Sequence, residues 1–322
     1  MEERIDIGKP RWDQATFEGR LRHFASITDP LAVFYPKKEL LAARKLVFDY
    51  KAGSEPVGTK LEDVYRAQKV FGTAFHPDTG ELQNLPGRMC FNVYGGTMLC
   101  GAMMIWYKST PAVLFWQWAN QSFNALVNYT NRNAKSSLST TDLVTAYAGA
   151  VTGALAMATG LKAYFAKRQV STILQRWVPF SAVAVANAIN IPMMRQNELK
   201  NGVVCEDEHG NAVGTSRLAA VKGISQVILS RIVIVAPTMV VIPLIVEGLN
   251  KIASFRRNLK YLNIPTQLAL TFIIYGAMVP VGCAVYPQRS SIKLETLKKL
   301  EPEAYDKMKT SGLTTVYFNK GL

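Results

Sequence analysis

One short stretch of the sequence, TPAVLFWQWANQSFNALVNYTNRN, residues 110–133, is rich in side-chain amides, and five of them recur at helical spacing. Their spacing of i, i+3, i+4, i+7 and i+11 predicts a helix with all five on one stripe. The residues between them are mostly aliphatic or aromatic, and no charge lies between Lys108 and Arg132. The first candidate for a polar site is therefore this amide stripe, which consists of Gln117, Asn120, Gln121, Asn124 and Asn128.

Amides on an otherwise apolar helix need partners. An unpaired buried amide costs about 1–3 kcal/mol by mutational data and about 4–8 kcal/mol against a hydrocarbon reference. The partners are other amides, polar groups on neighbouring helices, water or a polar solute. An amide accepts from an ammonium group and donates to a carboxylate or hydroxyl. Two interpretations stay open: interhelical hydrogen bonds, or a binding site for a small zwitterion.

Two further polar features lie in apolar segments. Asn187 and Asn190 are three residues apart, which places them on one helix face, and we expect that face to meet the stripe. Arg231 lies near one end of a later apolar segment. It either extends to the membrane surface or faces the bundle, where its guanidinium fork would bind a carboxylate.

The elements that carry these residues are apolar runs of about the length that a bilayer requires, roughly 20 residues. They predict an all-α, polytopic membrane bundle with about five spans. We expect a small helical cap over residues 1–88, the bundle over 89–286 and a polar, helix-forming tail over 287–322, with a solvated polar loop at 196–226. The runs are Met89–Tyr107, Thr110–Asn131, Leu143–Leu161, Trp177–Met194, Ile232–Val246 and Tyr261–Tyr286.

Within the cap, Lys37–Lys51 has helical spacing, and Thr59 with Glu62 resembles a capping box that starts a helix running to about Phe75. A turn follows. A His-Pro-Asp sequence after a basic helix is also what a J domain uses to contact its Hsp70 partner, but the next residues favour a local turn that is structural or docks a partner. The turn consists of His76, Pro77, Asp78, Thr79 and Gly80.

Several function classes lack their signatures. The four cysteines and three histidines are scattered, so the sequence predicts no metal site, disulfide framework or cofactor. No nucleophile–base pair or phosphate loop indicates an enzyme. The formal charge of +14 lies mostly in short loops and the tail, which fits contact with lipid headgroups and not with nucleic acid. The first 20 residues include five acidic ones and match no signal or transit peptide.

Several segments together resemble the sideroflexin family from about residue 10 to the end. The resemblance implies a multi-pass protein of the mitochondrial inner membrane, usually drawn with five spans, that moves serine and related small neutral amino acids toward the matrix for one-carbon metabolism. It also implies a link to iron and haem homeostasis, which we expect to be indirect because no ligand cluster supports it. The segments are residues 10–14, 27–30, 74–80, 110–133, 190–196 and 316–322.

Overall fold

The computed structural model describes residues 4–76, 79–131, 140–168, 175, 177–309 and 312–321. It is predominantly helical, with one small sheet, so the prediction of an all-α helical bundle is confirmed. The helices are α1 (Phe17–Ile27), α2 (Lys37–Ala52), α3 (Leu61–Ala74), α4 (Asn92–Trp106), α5 (Thr110–Thr130), α6 (Thr140–Arg168), α7 (Val178–Met194), α8 (Gln196–Asn201), α9 (Arg217–Leu249), α10 (Ala253–Arg257), α11 (Leu259–Ala284), α12 (Leu294–Leu300) and α13 (Pro302–Met308). The strands are β1 (Val203–Glu206), β2 (Ala212–Ser216), β3 (Arg289–Lys293) and β4 (Thr315–Asn319).

Helices α1 to α3 form the N-terminal region. Helix α2 has the predicted bounds to within a residue and ends at Gly53, whose φ of 76° is the left-handed conformation that glycine adopts without strain. The predicted capping box at α3 is wrong. The helix begins at Leu61, and the Thr59 hydroxyl donates to the carbonyl of Pro56 at 2.7 Å, so it caps nothing.

Among the described residues, four helical segments are long and apolar enough to cross a membrane: the segment Met89–Trp106, which includes α4, then α6, α9 and α11. Helix α7 is a shorter apolar helix. Helix α5 has 21 residues, or about 31 Å at 1.5 Å per residue, and packs between α4 and α6 although its amides reduce its hydropathy. The side chain of Ser109 begins this helix by accepting from the amide of Ala112 at 3.3 Å.

Small residues set the contact between α6 and α7, which is the most extensive helix–helix contact among the described residues. A Cβ added to Gly153 would lie 2.2 Å from the Ile189 side chain, and one added to Gly149 would lie 2.8 Å from the Met193 sulfur. Large side chains of α7 therefore occupy space that only glycine leaves free on α6. A stripe of buried alanines runs along α6 at four-residue intervals: Ala146, Ala150, Ala154 and Ala158.

Residues expected to be a polar loop and a helical tail instead pair in one antiparallel sheet of order β2-β1-β4-β3. The expectation of a loop over 196–226 is wrong, because this range holds α8, the β1–β2 hairpin and the start of α9. Cys205 of β1 pairs with Phe318 of β4. Phe318 and Cys205 are fully buried together with Leu297 and Met308 of the tail helices. This hydrophobic core also includes Ala219 in the first turn of α9, so it holds the tail against one end of the bundle.

Glu301 joins this tail to the start of α9. Its carboxylate accepts from the Ser216 hydroxyl at 2.6 Å and from the backbone amides of Arg217 and Leu218 at 2.9 and 3.0 Å. The Ser216 hydroxyl in turn accepts from the amide of Ala219 at 3.0 Å. Burial alone would raise the pKa of Glu301, but the hydrogen bonds and the nearby Arg217 lower it. The charged carboxylate is favoured at a helix N-terminus.

Both ends of the described chain contact the same end of the bundle. The Arg20 guanidinium donates to the carbonyl of Ala284, the last residue of α11, at 2.8 Å. Arg195, just after α7, donates to the carbonyl of Lys320 at 2.6 Å. In the described ranges, α4, α5, α6, α7, α9 and α11 pack antiparallel in succession, as Gly95 on Phe123 and Gly282 on Ile234 illustrate. The N-terminal region and the tail therefore meet at one end of the bundle, whereas the expected odd number of about five spans would place them on opposite sides.

We predict from this arrangement that the N-terminal region and the tail lie on one side of the membrane. Single cysteines introduced as Lys51→Cys and Lys307→Cys should react with a membrane-impermeant maleimide from the same side of oriented vesicles. The matched variant Lys251→Cys, at the α9–α11 turn, should react from the opposite side. Labelling of residues 51 and 307 from opposite sides would contradict the arrangement, and the unaltered protein gives the background of the native cysteines.

A second prediction concerns Glu301 and pH. Because its pKa is lowered on folding, its stabilising contribution is complete above the unfolded value and is lost as pH falls through the folded value. Glu301→Gln should cost about 1–2 kcal/mol at neutral pH, the usual loss for a helix cap. The thermal unfolding midpoint of this variant in detergent should then change less on acidification than that of the unaltered protein. Glu303→Gln, at an exposed neighbour, should match the unaltered protein at every pH.

Candidate functional site

Helix α5 places its amides inward and its large apolar side chains outward. Gln117, Asn120 and Gln121 are buried, and Asn124 and Asn128 are half-buried. On the opposite face Phe115 and Trp118 are about half exposed, at 52% and 50%. This is the reverse of a helix in a water-soluble protein, as expected where the surrounding solvent is lipid.

The buried amides are only partly paired. The Gln117 side chain donates to the Tyr107 hydroxyl at 2.8 Å and contacts the Met103 sulfur at 3.7 Å. Its carbonyl oxygen, the amide nitrogen of Asn120 and the amide nitrogen of Gln121 have no hydrogen-bond partner among the residues described. Hydrogen-bonding capacity therefore remains unused at the centre of the stripe, where each unpaired group is costly.

Arg231 of α9 contacts the other end of the stripe. Its guanidinium donates to the side-chain oxygen of Asn128 at 3.0 Å, so it faces the bundle and α5. Tyr275 and Cys283 of α11 are its other polar neighbours. In the part of the chain that the structure describes, no carboxylate lies within 4.0 Å of Arg231. A half-buried arginine that faces the bundle without a carboxylate is suited to receive one from a ligand.

Asn187 and Asn190 are both buried on α7. The oxygen of Asn190 has no partner within the described ranges. No hydrogen bond between described residues joins this pair to the stripe, so the expected direct contact is not made in this conformation. Three buried hydroxyls on other helices also have no hydrogen-bond partner among the described residues: Thr97, Ser230 and Thr238. The sequence did not point to them, because isolated serine and threonine residues in apolar runs have no periodic spacing.

Glycines of α4 let aromatic side chains pack beside the stripe. A Cβ added to Gly95 would lie 2.1 Å from the Phe123 ring of α5, and one added to Gly96 would lie 2.1 Å from the Tyr275 ring. Tyr275 thus lies between α4 and Arg231. The sequence analysis did not single out Tyr107 or Tyr275, because tyrosines are common near membrane surfaces and their spacing carried no signal.

The family model for sideroflexins matches residues 6–322. Sideroflexin-2 of Drosophila melanogaster is 48% identical over 322 residues, covering 99% of this chain and 98% of the relative. Human sideroflexin-2 and human sideroflexin-1 are each 46% identical, again over 99% of this chain and 98% of the relative.

The chain belongs to the sideroflexin family. Relatives named sideroflexin-2 and sideroflexin-1 match it at nearly the same identity. Its apolar helices and its sideroflexin relatives make it a multi-pass membrane protein, and family membership supports a transporter-type role. No solved structure matches the chain.

Two open hollows, of about 370 Å³ and 330 Å³, lie at the N-terminal segment of this sideroflexin. The first is lined by Arg4, Tyr50 and Lys51, and the second by Lys9, Arg11 and Tyr65 among others. Neither hollow includes a residue of the stripe. Because Gln117, Asn120 and Gln121 are buried, access to them from water requires the helices to separate.

The predicted turn at His76 folds back on the N-terminal region. The amide of Thr79 donates to the His76 ring nitrogen Nδ1 at 3.3 Å, and the amide of Gly80 donates to the His76 carbonyl at 2.9 Å. Gly80 has a φ of +66°, and a Cβ there would lie 2.9 Å from the Phe48 ring. Pro77 and Asp78 lie outside the described residues, so partner docking at this turn stays a prediction.

No group of three or more His, Cys, Asp or Glu side chains is arranged to hold a metal ion within the described ranges. The buried Cys205 belongs to the sheet core, and burial raises its pKa to about 12, so the sulfur stays a thiol at neutral pH. Among the described residues, the polar groups that contact the stripe include the Tyr107 hydroxyl and the guanidinium of Arg231.

Proposed function

We propose that this chain carries serine and related small neutral amino acids across the mitochondrial inner membrane, toward the matrix, where serine supplies one-carbon units. The observation that supports the proposal is the combination of unpaired buried amides on α5 with a guanidinium that has no carboxylate partner. A free amino acid offers the complementary groups: a carboxylate for the arginine, and an ammonium and a hydroxyl for the amides.

The proposed roles follow position along α5. Arg231 would bind the substrate carboxylate through two parallel hydrogen bonds and would leave Asn128, its partner in the empty protein. Toward the N-terminus of α5, Asn124 lies one turn from Asn128 and would accept from the ammonium. Gln121 lies about two turns from Asn128, and its unpaired amide nitrogen would donate to the hydroxyl oxygen. Asn120 and the pair Asn187 and Asn190 would complete the lining when the helices separate. The site has no fixed negative charge, which favours neutral amino acids over cationic ones.

The amide stripe is long enough to form a path along which a solute moves, as well as a single binding site. From Gln117 to Asn128 the helix rises about 16 Å, roughly half the thickness of the bilayer core. A solute the size of serine spans only part of this distance, so it would exchange hydrogen bonds along the stripe. Helix α9, which carries Arg231, contains Pro237 and Pro243. Each proline removes a backbone hydrogen bond and provides a point of bending for helix separation.

A second function, from another class, is favoured by the hydrogen bonds that already join stripe residues to other helices. In that view the protein has a structural or assembly role in the inner membrane, and the amides only hold helices together. The bonds from Gln117 to Tyr107 and from Arg231 to Asn128 fit this view. Any link to iron or haem is proposed to be indirect in either case, because no metal-ligand cluster occurs among the described residues.

We predict that Asn120→Leu, Asn124→Leu and Arg231→Met each abolish uptake of labelled serine into liposomes that contain the purified protein. Hydrogen bonds to charged groups contribute about 1.5–3 kcal/mol each, so the loss should be about tenfold to a hundredfold or more. Trp118→Leu, on the exposed face of the same helix, is the matched control and should retain uptake. Unlabelled serine should compete, whereas lysine and glutamate should not.

The same variants separate the two functions. If the amides serve the solute, the variants stay folded and monodisperse in detergent while uptake is lost. Unfolded or aggregated variants, together with no serine uptake by the unaltered protein, would favour the assembly role. Unchanged uptake in all three variants would contradict the assignment of the site.

A further inference from the structure

An exposed apolar patch lies outside the bundle, on the segment between α1 and α2. A turn of 3₁₀ helix, Pro30–Phe34, exposes 69% of Leu31 and 72% of Phe34. Leu41, one turn into α2, is 42% exposed. Two exposed lysines lie between these apolar side chains. We define the 31–41 patch as Leu31, Phe34, Lys37, Lys38 and Leu41.

This patch is continuous with the membrane helices. The 3₁₀ turn packs against residues 89–91 and against α4. The Phe34 ring lies 6.3 Å from the Tyr94 ring, edge to face, and Tyr94 lies 5.6 Å from the Phe272 ring of α11. Tyr94 is in the first turn of α4, within the apolar segment Met89–Trp106. Phe34 therefore packs directly beside the first turn of an apolar segment that is long enough to cross a membrane.

The charges around the 31–41 patch favour contact with an anionic membrane surface. Asp29 is paired with Lys69 at 2.7 Å, and Glu39 is paired with Arg66 at 3.0 Å. The two nearest acidic groups are thus engaged by cations from α3, whereas Lys37 and Lys38 remain exposed. Apolar side chains flanked by lysines are typical of segments that lie in the headgroup region of a membrane.

We propose that the 31–41 patch inserts into the interface of the bilayer that the bundle spans, with Leu31 and Phe34 among the acyl chains and Lys37 and Lys38 on anionic headgroups. The patch then holds the N-terminal region flat against one membrane surface. This role is independent of serine transport, since it uses no residue of the amide stripe.

The test measures the depth of spin labels in the full-length protein, reconstituted in liposomes of phosphatidylcholine and phosphatidylglycerol. Labels are placed by Leu31→Cys and Phe34→Cys. Val57→Cys, at an exposed apolar residue between α2 and α3, is the matched control. Collisions with oxygen, which concentrates in the acyl region, are compared with collisions with a water-soluble nickel chelate. The labelled unaltered protein supplies the background, because Cys90, Cys100 and Cys205 are buried and Cys283 is half-buried.

Labels at positions 31 and 34 should show an oxygen-to-nickel ratio severalfold higher than the label at position 57. Reversal of the lysine charges by Lys37→Glu and Lys38→Glu should reduce that ratio in the anionic liposomes and leave it unchanged in pure phosphatidylcholine. Labels at 31 and 34 that are as accessible to nickel as the label at 57 would overturn the proposal. That outcome would indicate that the 31–41 patch binds a protein partner that is missing from these liposomes.

Discussion

Polar groups inside a bilayer must find partners, and this requirement governs the arrangement of the bundle. Helix α5 turns five amides away from lipid and presents Phe115 and Trp118 to it instead. Because the amides need neighbours, α4 and α6 pack closely on either side of α5. Close packing in turn requires small residues on those neighbours, such as Gly95 against the Phe123 ring. The polar stripe and the small-residue contacts around it are therefore one structural feature.

Within this feature the amides are not satisfied to the same extent. Gln117 has Tyr107 as a partner, and Asn128 has Arg231, so both ends of the stripe are bonded. The nitrogens of Asn120 and Gln121 between them have none among the described residues. Purely structural amides would be expected to pair along their whole length, since every unpaired group destabilises the fold. Unused capacity at the centre is the physical reason for preferring a passing solute over interhelical hydrogen bonds alone.

The helices and the inward face of α5 could be predicted from the sequence, because both depend on local periodicity. The 3.6-residue spacing of the amides identified both the helix Thr110–Thr130 and its inward face, and the helix Lys37–Ala52 was predicted to within a residue. Pairing between distant segments left no such signal. Strand β1 bonds to β4 more than 100 residues later, and its short run Val203–Glu206 reads as a loop by itself. The contact from Arg231 to Asn128 could not be predicted either. An arginine near a helix end can extend to the membrane surface or face the bundle, and the sequence does not distinguish the two.

The central claim is that the stripe opens to a small amino acid, and the accessibility of Asn124 tests it most directly. Asn124→Cys in liposomes is treated with a small, water-soluble, thiol-specific reagent in the absence and presence of serine, with Trp118→Cys as the lipid-facing comparison. The account predicts that position 124 reacts, that serine slows the reaction in a concentration-dependent way, and that position 118 does not respond to serine. A cysteine at position 124 that never reacts, or that reacts at one rate regardless of serine, would contradict it.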